Sequence, residues 1–280
     1  MVNINFPYQL TISLVVYNNN INSLLPLINS IKTITVPVIL IVSDNSENDN
    51  LKTFFEENNA HYIFNQANLG YGKAHNIAIQ FGENLAPYHL VINPDVSINE
   101  NCIEQCLEFL QNNKNIGLLI PKTFYPTGQT QIVCNLLPTP FDLILRRFIP
   151  QILKPLFEKS AANYELKTKD LNLPMYVNNI HGCFLLMPHE VLKKVGLFDE
   201  HFFMYLEDTD LSRRISNEFD AIYYPYASII HSFEKGSYKN LKLLFYHIQS
   251  AIYYFTKWGW IFDKNRKIKN NIVLNQLQTK

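Results

Sequence analysis

Apolar, β-branched runs alternate with stretches of helical pattern through the first third of this chain, and that alternation constrains the fold more tightly than any other feature. Gln9 to Val16 ends in a polar cluster at Asn18-Asn19-Asn20, and a helical stretch follows to about Ile31. Val36 to Val42 is closed by Ser43-Asp44-Asn45-Ser46, with a helical segment near Asn50 to Asn58. His61 to Phe64 is a short third run, followed by a turn-rich loop from Asn65 to Gly72 and a helix from about Lys73 to Phe81. A fourth run, Tyr88 to Ile92, ends in Asn93-Pro94-Asp95. Strands joined by helices lie parallel, because each helix carries the chain back to the end where the previous strand began. The pattern therefore predicts an α/β fold with a mostly parallel sheet flanked by helices. Ligands collect at the carboxyl ends of such strands. Tyr17-Asn18, Ser43-Asp44-Asn45 and Asn93-Pro94-Asp95 all fall there; singly each reads as a solvated turn, together as a binding edge.

With 280 residues, 47% hydrophobic and 17% charged, the chain buries a substantial core as one large domain or as one domain with an appendage. Lys plus Arg and Asp plus Glu stand at 24 each, so net charge gives no ground for nucleic-acid binding. The end is nonetheless basic: Lys257, Lys264, Arg266, Lys267, Lys269 and Lys280 face Asp263 alone, which points to an anionic partner. Cys102, Cys106, Cys134 and Cys183 lack CxxC spacing, which argues against a disulfide scaffold or structural zinc and fits a reducing compartment. Cys102 and Cys106, one helical turn apart, are either a metal pair or buried apolar thiols. No signal-peptide pattern and no window of about 18 apolar residues is present, so the expectation is a cytoplasmic chain that does not span a membrane.

Glu207, Asp208 and Asp210 follow directly on Phe202-Phe203-Met204-Tyr205-Leu206 and precede Leu211-Ser212-Arg213-Arg214. Three carboxylates beside an apolar run cost folding free energy unless partners or a function hold them. Either they occupy the first turn of a helix beginning near Leu206, where the macrodipole favours acids, or they form a working site. Asn68-Leu69-Gly70-Tyr71-Gly72-Lys73-Ala74-His75-Asn76 leads into a helix, and its glycines allow close backbone approach to a ligand. It lacks the Gly-Lys-Ser/Thr of a P-loop and the third glycine of a dinucleotide fingerprint, so an ordinary tight loop stays open as a reading. Asn93-Pro94-Asp95 offers either a carboxylate for a hard divalent cation on a substrate's phosphates or a turn with a helix-capping Asp.

Taken in order, Asn18, Asp44-Asn45, Asn68-Leu69-Gly70, Asn93-Pro94-Asp95, His181-Gly182, the Glu207-Asp208 cluster and His231 resemble the family 2 glycosyltransferases, inverting enzymes with the Rossmann-like GT-A fold. The resemblance runs from about Thr11 to about Ser237, with the Pro-rich middle matched poorly. It implies that Tyr17 and Asn18 lie against the nucleotide and that Asp44 hydrogen-bonds the pyrimidine, with Asn45 supporting that loop. Asn68, Gly70 and Asn76 would shape the nucleotide-sugar pocket, with Lys73 on a phosphate and His181-Gly182 in the same site. Asn93-Pro94-Asp95 takes the place of the family's Asp-x-Asp motif. Asn93 stands where the first acid and its ribose contact are expected, and Asp95 is the implied ligand of Mg²⁺ or Mn²⁺. His231, after the strand-like Ala227 to Ile230, matches a histidine that completes the metal site in some relatives; a structural histidine is the alternative. Asp208 would be the general base that takes the proton of the acceptor hydroxyl, with Glu207 as its helper or as the base itself. Two adjacent acids repel, which raises one pKa.

Leu241, Leu244, Phe245, Ile248, Ile252 and Phe255 follow a helical stripe over Leu241 to Trp258. That stripe either packs on the sheet domain or joins Tyr253, Tyr254, Trp258, Trp260, Phe262 and the basic tail as an anchor on an anionic membrane surface, peripheral on the inner face of the plasma membrane. The segment also resembles the ends of bacterial transferases that build O-antigen or capsule on a lipid-linked acceptor. The expected organisation is a GT-A domain over 1–237 and a C-terminal amphipathic helix and basic tail over 238–280. A Pro-rich insertion at 123–176, holding Arg146-Arg147, lies within the first. The implied reaction moves one sugar from a UDP- or dTDP-linked donor to a glycan or lipid-linked acceptor, and a dTDP-rhamnose-specific rhamnosyltransferase is the near alternative. A sugar nucleotidyltransferase is the rival class, but Tyr17-Asn18-Asn19-Asn20 stands where it needs a Gly-rich basic loop. A non-catalytic glycan-binding protein is opposed by Asp95, Glu207 and Asp208.

Overall fold

The computed structural model describes residues 6–143, 154–232 and 241–277; Arg146-Arg147 and Lys280 lie outside them. Leu10–Val16 (β1), Val38–Asp44 (β2), His61–Phe64 (β3) and Tyr88–Ile92 (β4) are parallel neighbours in the order β3-β2-β1-β4. The helices Ile21–Ile31 (α1), Lys52–Glu57 (α2) and Tyr71–Gly82 (α3) make the crossovers. The register pairs Val16 with Asp44 and Asp44 with Phe64, so the polar clusters after β1, β2 and β3 lie side by side.

The chain continues through Val96–Ile98 (β5), Cys102–Asn112 (α4) and Ile116–Phe124 (β6). Cys102 and Cys106 are buried free thiols on the core side of α4. The Pro-rich stretch holds Thr130–Gln131 (β7), Cys134–Asn135 (β8), Pro140–Leu143 (α5), Lys154–Tyr164 (α6) and Met175–Tyr176 (β9). Asn179–Ile180 (β10), Phe184–Pro188 (β11), His189–Val195 (α7), Glu207–Glu218 (α8) and Asp220–His231 (β12) follow. The sheet runs β3-β2-β1-β4-β11-β6-β12-β5, and β11 is antiparallel to both β4 and β6. An antiparallel strand begins where its parallel neighbours end. The entry to β11, His181 to Cys183, therefore lies on the same rim as Asn93 to Asp95, and the Asn93 N–H donates to the Cys183 carbonyl at 3.0 Å.

Leu241–Trp258 (α9) and Lys264–Asn275 (α10) close the chain. The inward row of α9 is Ser250, Ala251, Tyr254 and Phe255, packed on Phe202 and Leu206, whereas Leu241, Phe245 and Ile252 of the expected stripe are exposed. α10 sends Val273 into the main core, and Asn270 bonds both the N–H and the carbonyl of Leu137. Among the described residues no helix is long and apolar enough to cross a membrane.

A polar chain threads the core beneath β1. Thr11 Oγ1 lies 3.0 Å from His189 Nε2 and 2.6 Å from His89 Nδ1, and Ser13 Oγ lies 2.9 Å from His89 Nε2 and 2.8 Å from His75 Nδ1. Thr11 and Ser13 alternate along the strand and so share a face. Burial pushes His75 down to about 3. His189 falls to about 4 through burial and then the Lys193 charge, and His89 falls well below its usual value. All three rings are neutral in the fold but take a proton near pH 6.5 in the unfolded chain. Their contribution is complete above pH 6.5 and is lost as pH falls from there toward the folded values, by about 1.4 kcal/mol per ring per pH unit. The urea midpoint is therefore expected to be lower at pH 5 than at pH 7.5. The raised His231 and Glu207 act in the opposite sense over this range, so a midpoint that is equal or higher at pH 5 would show that the three rings do not dominate the pH dependence.

Candidate active site

The donor-side rim is a web of amides and one carboxylate. Asp44 is completely buried: Oδ1 accepts the Ser46 N–H at 2.7 Å and Oδ2 the Tyr62 hydroxyl at 2.5 Å. Ser46 Oγ accepts the N–H of Asn18, a residue in the left-handed region at φ 52, while Tyr17 leaves 49% of its surface exposed at the rim. Asn45 donates to the Gly70 carbonyl at 3.0 Å and accepts from Asn65, which neither motif nor periodicity singled out. Asn68 Oδ1 accepts the Gly70 N–H at 3.0 Å. Gly70 sits at φ +83, and a β-carbon there would lie 2.2 Å from the Phe203 carbonyl oxygen. Only glycine fits both demands.

Asn76 and Lys73, both expected at the pocket, have partners within the fold. Asn76 is buried, exchanging hydrogen bonds with the Phe198 backbone at 2.9 and 3.0 Å, and Lys73 pairs with Glu200 at 3.4 Å. They latch α3 to the segment before the acid cluster.

The acid-side rim centres on Gly182. Its N–H donates to Asp208 Oδ2 at 2.8 Å, and its carbonyl accepts the Tyr71 hydroxyl. Asp208 Oδ1 takes the Thr209 N–H at 2.7 Å, so two backbone donors fix this half-buried carboxylate. Glu207 is only 5% exposed, and its Oε2 is buried without a hydrogen-bond partner. Burial first, then the Asp208 charge, pushes its pKa well above the usual carboxylate range. The Tyr71 phenol is likewise driven up, first by burial and then by the charges of Glu207 and Asp208, so its hydroxyl stays a donor. Tyr71 lies inside the glycine loop but carried no signal of its own in the sequence, because its partner comes from a distant segment. His181 Nε2 meets the Asn135 amide at 2.8 Å, and burial lowers its pKa.

Asp95 is 39% exposed by side chain, and its Oδ1 lies 3.4 Å from His231 Nε2, too far for a good hydrogen bond. Burial disfavours charge on His231, but Asp95 and the Cys183 thiol outweigh it and raise the ring's pKa to about 10. An under-partnered carboxylate oxygen beside an imidazole nitrogen fits a divalent cation of the Mg²⁺ or Mn²⁺ class once the ring gives up the proton that Asp95 holds on it, so binding there would release a proton. Among the described residues no three His, Cys, Asp or Glu side chains converge, so the protein offers this pair and not a closed cage.

The third acid of the cluster has a different task. Asp210 is completely buried; Oδ1 accepts Trp258 Nε1 at 2.7 Å and Lys257 Nζ at 2.8 Å, and Oδ2 accepts Arg214 Nε at 2.8 Å. Arg213 lies 4.1 Å from the Trp258 ring and pairs with the Asp263 carboxylate at 2.7 Å. α8 thus grips α9 and the start of α10 through charges.

A mostly parallel sheet with carboxylates along its carboxyl rim is the architecture of GT-A glycosyltransferases. The fold superposes on GalNAc-T7, solved with UDP, GalNAc and Mn2+, at a TM-score of 0.60 and 14% identity, covering 82% of this chain and 44% of that one. It superposes on the mannosyltransferase PcManGT of Pyrobaculum calidifontis, solved with GDP-Man and Mn2+, at 0.56 and 14%, covering 89% and 65%. Residues 11–196 match the pattern of glycosyl transferase family 2, and the chain belongs to that family. It is 28% identical over 180 residues to a low-salt glycan biosynthesis hexosyltransferase of Haloferax volcanii, covering 64% of this chain and 53% of that protein. It is 27% identical over 208 residues to an N-acetylglucosaminyl-diphospho-decaprenol L-rhamnosyltransferase of Mycobacterium tuberculosis, covering 70% and 66%. The match thus spans about half to two thirds of these relatives' own length.

Asp210→Asn removes a charge on which three donors converge in the interior, so it is expected to lower stability by about 3 kcal/mol. Denaturant titration measures this; a change under about 0.5 kcal/mol would show that the grip on α9 does not depend on the carboxylate.

Proposed function

We propose that this glycosyltransferase moves one sugar from a UDP- or dTDP-linked donor to a hydroxyl of a growing, lipid-linked bacterial surface glycan, with inversion. The observation that carries the chemistry is the contrast between Asp208 and Glu207. Burial and the neighbouring Asp208 charge raise the Glu207 pKa well above the usual carboxylate range, which favours its protonated form, and a protonated carboxyl cannot take up the acceptor's proton. Asp208, half-buried and aimed by the Gly182 and Thr209 N–H groups, is the base that takes the acceptor's proton as its oxygen attacks the anomeric carbon. Glu207 behind it holds the first turn of α8 without adding a second negative charge.

Asp95 and His231 hold Mg²⁺ or Mn²⁺, a two-ligand set suited to a cation whose shell is completed by substrate phosphates. When bound, the cation stabilises the leaving diphosphate. Tyr17, Asn18, Asn45, Asn68 and Gly70 form the nucleotide side, and Asp44 keeps the Ser46 turn and Tyr62 in place behind it. Asn93 and the His181-Gly182 segment join this side to the acids. The M. tuberculosis relative named as an L-rhamnosyltransferase supports rhamnose as the sugar moved, with dTDP-rhamnose as the alternative donor, and the H. volcanii relative named as a hexosyltransferase supports a hexose.

A thermal-shift screen with UDP-hexoses and dTDP-rhamnose, each with and without Mn²⁺, reads donor choice; a ligand at a hundred times its Kd stabilises by about 2.7 kcal/mol. Asp95→Asn is expected to abolish the metal-dependent shift and His231→Ala to weaken it. A shift indifferent to both variants and to chelator would remove the metal assignment. Asp208→Asn is expected to leave the shift in place and lower turnover by about 10² to 10⁴-fold. Lost donor binding with little change in rate would move Asp208 out of the base role.

A further inference from the structure

We infer that the turn between α9 and α10, Gly259 to Asp263, is a rigid finger that dips into the headgroup boundary of an anionic bilayer. Ile261 is 77% and Phe262 95% exposed, while Phe255 before them and Arg266 after them are buried. Side chains this apolar are left in water here by a turn that cannot fold them back. Gly259 takes φ +104 and donates to the Phe255 carbonyl at 2.8 Å, and a β-carbon on it would lie 2.9 Å from the Phe262 oxygen. Arg266 donates to the carbonyls of Trp260 and Ile261 at 3.4 and 3.3 Å, and to Pro138 at 3.2 Å. Asp263 Oδ1 caps α10 through the Arg266 N–H at 2.9 Å while pairing with Arg213.

The charges around the tip select the surface it meets. Arg213 and Arg266 neutralise Asp263 inside the protein, which leaves exposed Lys264 and Lys267 next to the apolar pair. Trp260, 41% exposed and 5.3 Å from the Phe255 ring, stands between tip and body, the level an aromatic ring occupies at a membrane interface. A protein partner of ordinary size buries about 800 Å² on each side, which two side chains on a turn do not supply. A bilayer needs only the few ångströms of depth that an interfacial segment reaches, about 5–10 Å. The finger also replaces the broader anchor expected from the sequence. Tyr253 bonds Asp199, Tyr254 bonds Arg213 and Trp258 bonds Asp210, so those rings belong to the enzyme and not to lipid.

The finger's base is locked to α8, whose first turn carries Asp208, so lipid contact sets how the cleft faces a membrane-embedded acceptor. That consequence rests on the proposed acceptor; the lipid contact itself does not, and it is measured without donor. The full chain is sedimented with vesicles of phosphatidylcholine alone and of phosphatidylcholine mixed with phosphatidylglycerol, and tryptophan emission is recorded. Binding to the anionic vesicles with a blue shift is expected. The double variant I261S/F262S, with an unchanged melting midpoint because both residues are exposed, is expected to bind at least about tenfold more weakly. K264Q/K267Q is expected to lose about fivefold per charge and to flatten the salt dependence. L241S/F245S, on the exposed row of α9, is expected to bind as the parent does. Equal partitioning of the parent and I261S/F262S would overturn the inference. So would a parent that ignores anionic vesicles but self-associates through the finger, with I261S/F262S returning it to monomer.

Discussion

The carbonyl oxygen of Phe203 accepts the Tyr71 N–H at 3.0 Å and stands 2.2 Å from where a β-carbon on residue 70 would be, and the cleft takes its shape around that contact. Backbone meets backbone there, so the loop that opens α3 and the segment that opens α8 cannot move independently. To pass from this contact into α8 the chain takes two consecutive left-handed residues, Tyr205 at φ 71 and Leu206 at φ 68. Each costs about 1–3 kcal/mol in the absence of compensation. The compensation comes from α9: Ala251, Tyr254 and Phe255 cover Phe202 and Leu206, and Ser250 Oγ donates to the Met204 carbonyl at 2.8 Å. A helix at the far end of the chain thus supports the shape of the acid turn.

Within that turn, burial and partners sort three neighbouring carboxyl groups into three states. Asp210 meets three donors and is a structural anion. Glu207 meets none at Oε2, and burial raises its pKa. Asp208 meets two backbone N–H groups and stays half-buried on the rim. The helix dipole favours all three equally, so it cannot be what separates them.

The parallel half of the sheet was legible because period and length agree: β-branched runs of the right size alternate with helical stretches, and β3 and β4 fall on the residues expected. The site was legible as clusters, since polar residues at strand ends project from a rim whichever way the side chains turn. What stayed hidden depends on partners far away in sequence. Asn76 and Lys73 sit in a glycine loop that suggests a ligand, yet their partners are Phe198 and Glu200, and no local pattern announces that meeting. The rings at Tyr254 and Trp258 have interfacial composition, but a buried Arg213 gives them a protein partner instead. β11, a five-residue apolar run, carries no sign that it will lie antiparallel between two parallel strands.

That antiparallel insertion has a consequence for how the chain is made. Among the described residues the strand that covers the outer side of β4 is β11, whose register runs from Phe184 against Ile92 to Pro188 against Tyr88. As synthesis proceeds from the N-terminus, β1 to β4 can assemble through short crossovers, and then stand with one bare edge, every residue of which is buried in the finished fold, until residue 188 emerges. Closing that loop brings together residues far apart in sequence, an intrinsically slow step, and an unpaired edge is a template for wrong partners meanwhile. The strand that begins just after Gly182, on the rim of the acid cluster, is also the one whose late arrival seals the nascent sheet.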